Sequence, residues 1–271
     1  MNYIRITRDN IDREHICCAM SGKQSLRKKE WLKQRLEEGL VFCRSEERGK
    51  CFIEYLPAEN AWVPIRAEGY LYINCLWIAG AMKGHGYAND LLAECVRDAE
   101  AQGRKGICIL SAQGRKREFL ADPKFLAHKG FQTADVSDCG ISLLYLPLAP
   151  DARPPEFRDC AKHPEAAPDG FVLYYTDQCP YTSYWVPRVQ ETAREHGIPP
   201  AGHPHHEPGG GPARARAGHH LRPVPGRQIP DPGHSVRQEV PGAGRGESGR
   251  RLTAARRKMC QWTEGRHPHE L

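Results

Sequence analysis

The chain has no apolar run long enough to cross a bilayer. The longest, Tyr70 to Met82, is broken by Asn74 and stops well short of about 20 residues. Met1 to Asn10 lacks the basic, then apolar layout of a secretory leader, so a soluble, cytoplasmic chain with no membrane partner is expected. The 11 cysteines include no pair of C-x-x-C knuckles, and some, such as Cys75 and Cys108, lie inside strand-like runs. That spacing argues for reduced thiols over structural zinc, and no metal is expected. No internal repeat is visible.

Charge and composition divide the chain. Positions 1–200 hold 27 Lys and Arg against 27 Asp and Glu, and give no electrostatic reason to bind nucleic acid. Positions 201–271 hold 12 against 6 and carry the whole net charge of +6. This tail also has 9 of the 22 prolines, 12 of the 26 glycines and 8 of the 13 histidines, yet no Phe and no Tyr. Such a composition cannot bury enough apolar surface to form a core, and disorder is expected.

Over residues 1–150 strand and helix signals alternate, which predicts an α/β fold. Strands are expected at Tyr3 to Thr7, Cys51 to Leu56, Tyr70 to Ile78, Gly106 to Ser111 and, as the closing strand, Ile141 to Leu146. Helices are expected at Lys23 to Glu38, with Leu26, Trp31, Leu32 and Leu36 as its apolar face, at Tyr87 to Gln102, and at Phe119 to Lys129. Six prolines between Pro147 and Pro168 mark a linker, placed at 151–169. A second module follows at 170–200, with a strand Phe171 to Tyr175 and a helix from just after Cys179 to near His196.

Between the longest strand and the helix at Tyr87 lies Lys83-Gly84-His85-Gly86-Tyr87-Ala88. Glycines let backbone approach an anion, and the unpaired N–H groups and positive end of a helix favour negative charge. The turn suits a phosphate or serves as a tight connection; it does not match the dinucleotide fingerprint.

With the surrounding element order, this turn resembles the core motif of the GNAT superfamily of N-acetyltransferases. Gly84 and Gly86 occupy its two small positions, and Ala81 stands where an Arg or Gln is usual. The likeness covers residues 1–150 and extends to a last helix closing on Gly130-Phe131. It implies a mixed sheet with flanking helices that binds acetyl-CoA between two splayed strands, Tyr70 to Ile78 and Gly106 to Ser111. Backbone groups near Leu76 and Ile78 would pair with pantetheine, the amides of Gly84, His85, Gly86, Tyr87 and Ala88 with Lys83 would hold the pyrophosphate, and Ser111 would line the opposite strand. The cosubstrate implied is acetyl-CoA and the partner an amine-bearing acceptor, acetylated by direct attack.

Strict alternation puts Tyr70, Tyr72, Asn74 and Leu76 on one face, with Cys75 turned away as buried filler. The family's bases occur at the Tyr70 and Tyr72 positions, and these two with Asn74 are the catalytic candidates. A phenol with a pKa of about 10 is a poor base, so deprotonation through water is the other route, and both tyrosines also suit plain packing. Leu126 replaces the usual thiolate-protonating tyrosine. His128 suits a last-turn cation more than a catalyst.

In the second module a strand, a loop and a helix with Cys179 at its start resemble the thioredoxin-like fold, and behind an acetyltransferase the YoaP-like domain. A thiol at a helix N-terminus is expected to have a lowered pKa. Thr182 stands where a resolving cysteine would be, which leaves Cys179 as a redox candidate or an inert cap. The tail lacks the remainder of such a module. Reading one nucleotide ahead through residues 218–230 permits two strands around an Asp-Gly turn, so residues 201–271 are read as out-of-frame translation beginning near Pro199 or Pro200. Taken at face value, the tail is a basic, His-bearing arm. Two further readings remain open: a non-catalytic module that binds a CoA thioester, and a redox role for Cys179.

Overall fold

The computed structural model describes residues 1–16, 18, 22–114, 119–162, 171–197 and 200–204. The chain runs β1 (Tyr3–Arg5), α1 (Lys23–Leu36), β2 (Val41–Ser45), β3 (Lys50–Pro57), β4 (Ile65–Arg66), β5 (Tyr70–Ala79), α2 (Tyr87–Ala101), β6 (Gly106–Ala112), α3 (Pro123–His128), β7 (Gln132–Val136) and β8 (Ile141–Pro147). After these come β9 (Glu156–Phe157), α4 (Asp159–Lys162), β10 (Phe171–Tyr175), α5 (Pro180–Glu195) and β11 (Pro200–Pro204). Seven strands form one sheet in the order β1-β2-β3-β5-β6-β8-β7. Its one parallel pair is β5 with β6, and α2 is the crossover such a pair requires. Strands β2 and β7 had no counterpart in the sequence reading.

Each face of the sheet carries a core. Trp31 and Leu32 of α1 pack with Phe42, Phe52, Tyr72 and Leu143 on one side. On the other, Leu91, Leu92 and Cys95 of α2 pack with Ile73, Ile107 and Leu126. The buried stripe of α1 is Lys28, Trp31, Leu32 and Arg35, the i, i+3, i+4, i+7 spacing of one helix face. Leu26, expected on that stripe, is 64% exposed. Two cations take places there because each is paired: Lys28 with Glu54, and Arg35 with Glu38 at 2.8 Å and over the Trp62 ring at 4.8 Å.

Two other expectations are corrected. The helix expected from Phe119 begins at Pro123, because Asp122 caps it by accepting from the Lys124 amide at 2.9 Å and Pro123 excludes its predecessor from helical angles. It closes as expected, with the Phe131 amide donating to Leu126 and the Phe131 ring buried. The proline-rich linker is not a free spacer up to residue 162. There β9 pairs with β4, Phe157 is buried, and Arg158 donates to the carbonyls of Pro64 and Ile65.

In the second module β10 and β11 pair in parallel around α5, over a small core of Leu173, Val186 and Ala193. The boundary expected after residue 200 therefore falls inside β11, since pairing with β10 recruits the chain as far as Pro204. The expectation for the rest of the tail, 205–271, lies outside the described residues. Among the described residues no helix is long and apolar enough to cross a membrane, and no group of three or more His, Cys, Asp or Glu is placed to hold a metal ion.

The corrected face of α1 gives a stability test. Leu32→Ala should lower unfolding free energy by about 2–5 kcal/mol, and Leu26→Ala by no more than about 0.5 kcal/mol, in urea denaturation. Equal losses would contradict the stripe described.

Candidate active site

Strand β5 pairs with β6 only from Tyr70 to Ile73, against Gly106 to Ile109. Beyond that, β5 continues along β3 to Ala79 and β6 continues along β8 to Ala112. Two parallel neighbours thus part, and their facing edges open a V. The parting coincides with a β-bulge. Tyr55 faces Ile73 and Glu54 faces Cys75, which leaves Asn74 as the extra residue on β5.

A bulge moves every later side chain to the opposite face. Tyr70 and Tyr72 pack with α1, as do Cys75 and Trp77 beyond the bulge, while Leu76 and Ile78 join the α2 side with Leu71 and Ile73. Strict alternation, which grouped Leu76 with the two tyrosines and turned Cys75 away, is corrected on this ground.

At the end of β5 a short 3-10 turn, Gly80–Met82, buries Met82 and leaves Ala81 exposed. Exposed Lys83 is extended, and Gly84 and Gly86 follow at φ +84° and +81°. Only glycine takes those angles without strain. A Cβ at Gly84 would meet nothing within 4 Å, and one at Gly86 only the Asn89 side chain at 3.9 Å. Gly86 caps α2, and its carbonyl accepts from the amides of Asn89 and Asp90. The amides of Gly84, His85, Gly86, Tyr87 and Ala88 donate to no group among the described residues. The His85 ring stacks on Tyr87 at 5.4 Å. The result is an exposed turn of N–H donors, unpaired among the described residues, at the positive end of a helix with one lysine beside it, and such a turn suits an anion.

The tyrosines are poorly placed as bases. Tyr70 lies before the V opens, its hydroxyl donates to the Arg153 carbonyl at 2.9 Å, and burial pushes its pKa up to about 12. Burial pushes the Tyr72 hydroxyl well above its usual range. The Ser111 hydroxyl is committed to the Ala121 carbonyl at 2.7 Å. Leu126 is fully buried in the core against α2.

Sequence reasoning missed Glu54, the buried carboxylate beside the apex of the V. It is fully buried on β3 and accepts from Lys28 Nζ at 2.5 Å, Asn74 Nδ2 at 2.8 Å and Gln178 Nε2 at 2.9 Å. An acid inside the apolar run Phe52-Ile53-Glu54-Tyr55-Leu56 was the available signal. The third donor belongs to the second module, whose loop before α5 reaches this node while α5 packs on α1. Cys179 is the N-cap of α5 and half-buried. Burial pushes its thiol up, against the opposing pull of the Tyr181 and Thr182 amides and Lys28, so the lowered pKa expected at a helix start is corrected. Cys75 is raised as well, by burial and then by Glu54, Cys18 and Cys179.

No family model matches the chain. A curated relative, the uncharacterized N-acetyltransferase YoaP of Bacillus subtilis (strain 168), is 43% identical over 202 residues, which are 73% of this chain and 80% of the relative. Among solved structures, yncA of Salmonella typhimurium, described as a putative acetyltransferase with acetyl-CoA, is 15% identical, covering 57% of this chain and 97% of that one, with a TM-score of 0.40. The GNAT family N-acetyltransferase YhbS of Escherichia coli, in complex with CoA, is 13% identical, covering 58% and 89%, also with a TM-score of 0.40. By its identity to the Bacillus relative across most of both chains, the protein belongs to the GNAT superfamily of N-acetyltransferases.

Proposed function

We propose that the chain moves an acetyl group from acetyl-CoA to the amine of an acceptor. The observation that carries this reading is the row of unpaired amides from Gly84 to Ala88, at the end of a strand that has parted from its parallel neighbour. The turn suits a diphosphate: a Cβ at Gly84 would meet no described atom within 4 Å, and the helix start and Lys83 supply positive potential. Backbone groups of Leu76 and Ile78, on the free edge of β5, would run along the pantetheine arm. Bound acetyl-CoA supplies an acyl carbon open to nucleophilic attack.

The chain's own residues hold and orient. With Tyr70 and Tyr72 raised by burial, neither phenol takes the amine's proton near neutrality, and the proton leaves through water. Asn74, the first residue past the apex, is the polar side chain assigned to hold the attacking amine. The Bacillus relative, named an N-acetyltransferase, supports the same activity.

The second module is proposed to be a thioredoxin-like, YoaP-like domain cut short. The order β10, Cys179, α5 supports this, and so does the length of the match to the Bacillus relative, which exceeds the first domain. Residues beyond about 200 are proposed to be read out of frame. A share of the chain about as long as this tail lies outside that match.

Four measurements test these readings. Calorimetry with acetyl-CoA should give a binding isotherm, and Gly86→Val, which forces a branched residue into a left-handed angle costing about 1–3 kcal/mol, should weaken it about tenfold or more; unchanged affinity would remove the amide cradle. Thiol release on adding amines separates transfer from simple thioester binding. Because the Cys179 thiol is raised, its iodoacetamide labelling, measured against Cys179→Ser, should be slower at pH 7 than that of a free cysteine and should climb as pH passes the ordinary thiol range. Fast labelling at pH 7 would favour a redox role. Sequencing the gene across codons 199–200 should find a one-nucleotide displacement relative to close relatives, and an undisplaced frame would end the out-of-frame reading.

A further inference from the structure

The acetyl-transfer reading leaves the second module unused, yet that module reaches the apex of the V. Gln178 is 5% exposed, and its amide donates to Glu54 Oε1, the oxygen that also accepts from Asn74. Glu54 Oε2 is held by Lys28, itself fully buried and seated 4.3 Å above the Trp31 ring. Three donors thus fix one buried carboxylate, and through it they fix Asn74. With Nδ2 turned toward Glu54, the Asn74 carboxamide keeps Oδ1 as an acceptor that no donor among the described residues fills. This oxygen belongs to the first residue beyond the β5–β6 pairing, at the point where the two strands part.

The module supplies a wall as well as an anchor. Tyr181 of α5 meets Phe119 at 5.8 Å, and Phe119 meets Trp77 of β5 at 6.4 Å, both within the range of interacting aromatic pairs. Phe119, 51% exposed, stands at φ +63°, an unfavourable angle for a bulky side chain. Trp77 Nε1 is buried and has no hydrogen-bond partner among the described residues, a donor left open in the same wall. Cys75 and Trp77 face this side because of the bulge. The lining is therefore apolar and aromatic, with one carboxamide acceptor and one indole donor, and a second module lies across it.

We propose that the second module completes the acceptor site, with Gln178 a positioning residue that acts through Glu54 on Asn74, and that the acceptor is a small amine with an apolar or aromatic body. A polypeptide terminus does not suit a site walled from two modules. The inference rests on the acetyl-transfer reading, and its test keeps the two apart.

The test uses the full chain, acetyl-CoA, and three probes: phenethylamine, spermidine and a peptide with a free N-terminal alanine. Phenethylamine should give the highest kcat/KM. Gln178→Leu should lower kcat for it about tenfold, the size of one lost hydrogen bond to a charged group, with the KM for acetyl-CoA unchanged. That split is one a merely structural role would not produce. Should Gln178→Leu fail to fold, Tyr181→Leu decides, and it should raise the KM for phenethylamine while leaving that for acetyl-CoA alone. Binding of acetyl-CoA without transfer to phenethylamine, a higher kcat/KM for the peptide or spermidine, or variants equal to the wild type would overturn the composite site and leave the cosubstrate reading standing. Absence of acetyl-CoA binding by the wild type would remove both.

Discussion

One extra residue in a strand organises the site. Asn74 has no cross-strand partner on β3, and from that point β5 no longer pairs with β6. A bulge bends and twists its strand, and the twist carries the edge of β5 away from its parallel neighbour. Three consequences follow from the same residue. The backbone edge of the second half of β5 is free for a ligand, Cys75 and Trp77 turn to the α1 face, and the carboxamide of Asn74 reaches Glu54. The glycine turn then starts where that free edge ends, so the arm of a long ligand and its charged end meet one continuous surface.

The node beneath the bulge is costly to build and fully furnished. A buried ion pair gains little net stability, because desolvation of both charges offsets their attraction, whereas loss of one partner leaves an uncompensated charge at a cost of about 3–5 kcal/mol. Lys28 and Glu54 meet the condition for tolerating such a pair, since the remaining acceptor capacity of the carboxylate is filled by Asn74 and Gln178. One of those donors comes from the second module, which couples its docking to the polar satisfaction of the first domain's interior. Among the described residues the module's own apolar core is Leu173, Val186 and Ala193.

Much of the frame was legible in residues that act locally. Hydrophobic periodicity located α2, β5 and β6, and the pair Gly84 and Gly86 located the turn, because each signal is a property of neighbouring residues. The bulge was not legible: it exists only in the register between β3 and β5, and the sequence Ile73-Asn74-Cys75 alternates as any strand does. Lys28 reads as a surface lysine until Glu54, 26 residues away, is placed beneath it. Asp122-Pro123 did announce the true start of α3, and the apolar Phe119 and Leu120 pulled the expected helix forward. Cys179 carried a general rule about helix starts that burial overrode.

The most direct measurement of the central claim is amide hydrogen exchange on the full chain, resolved by residue and followed with and without acetyl-CoA. In the free protein the amides from Gly84 to Ala88 should exchange fast, since they donate to no protein group among the described residues, and with acetyl-CoA they should become protected while those in the middle of α2 change little. Fast exchange that persists at saturating acetyl-CoA, or protection already present without it, would contradict the account.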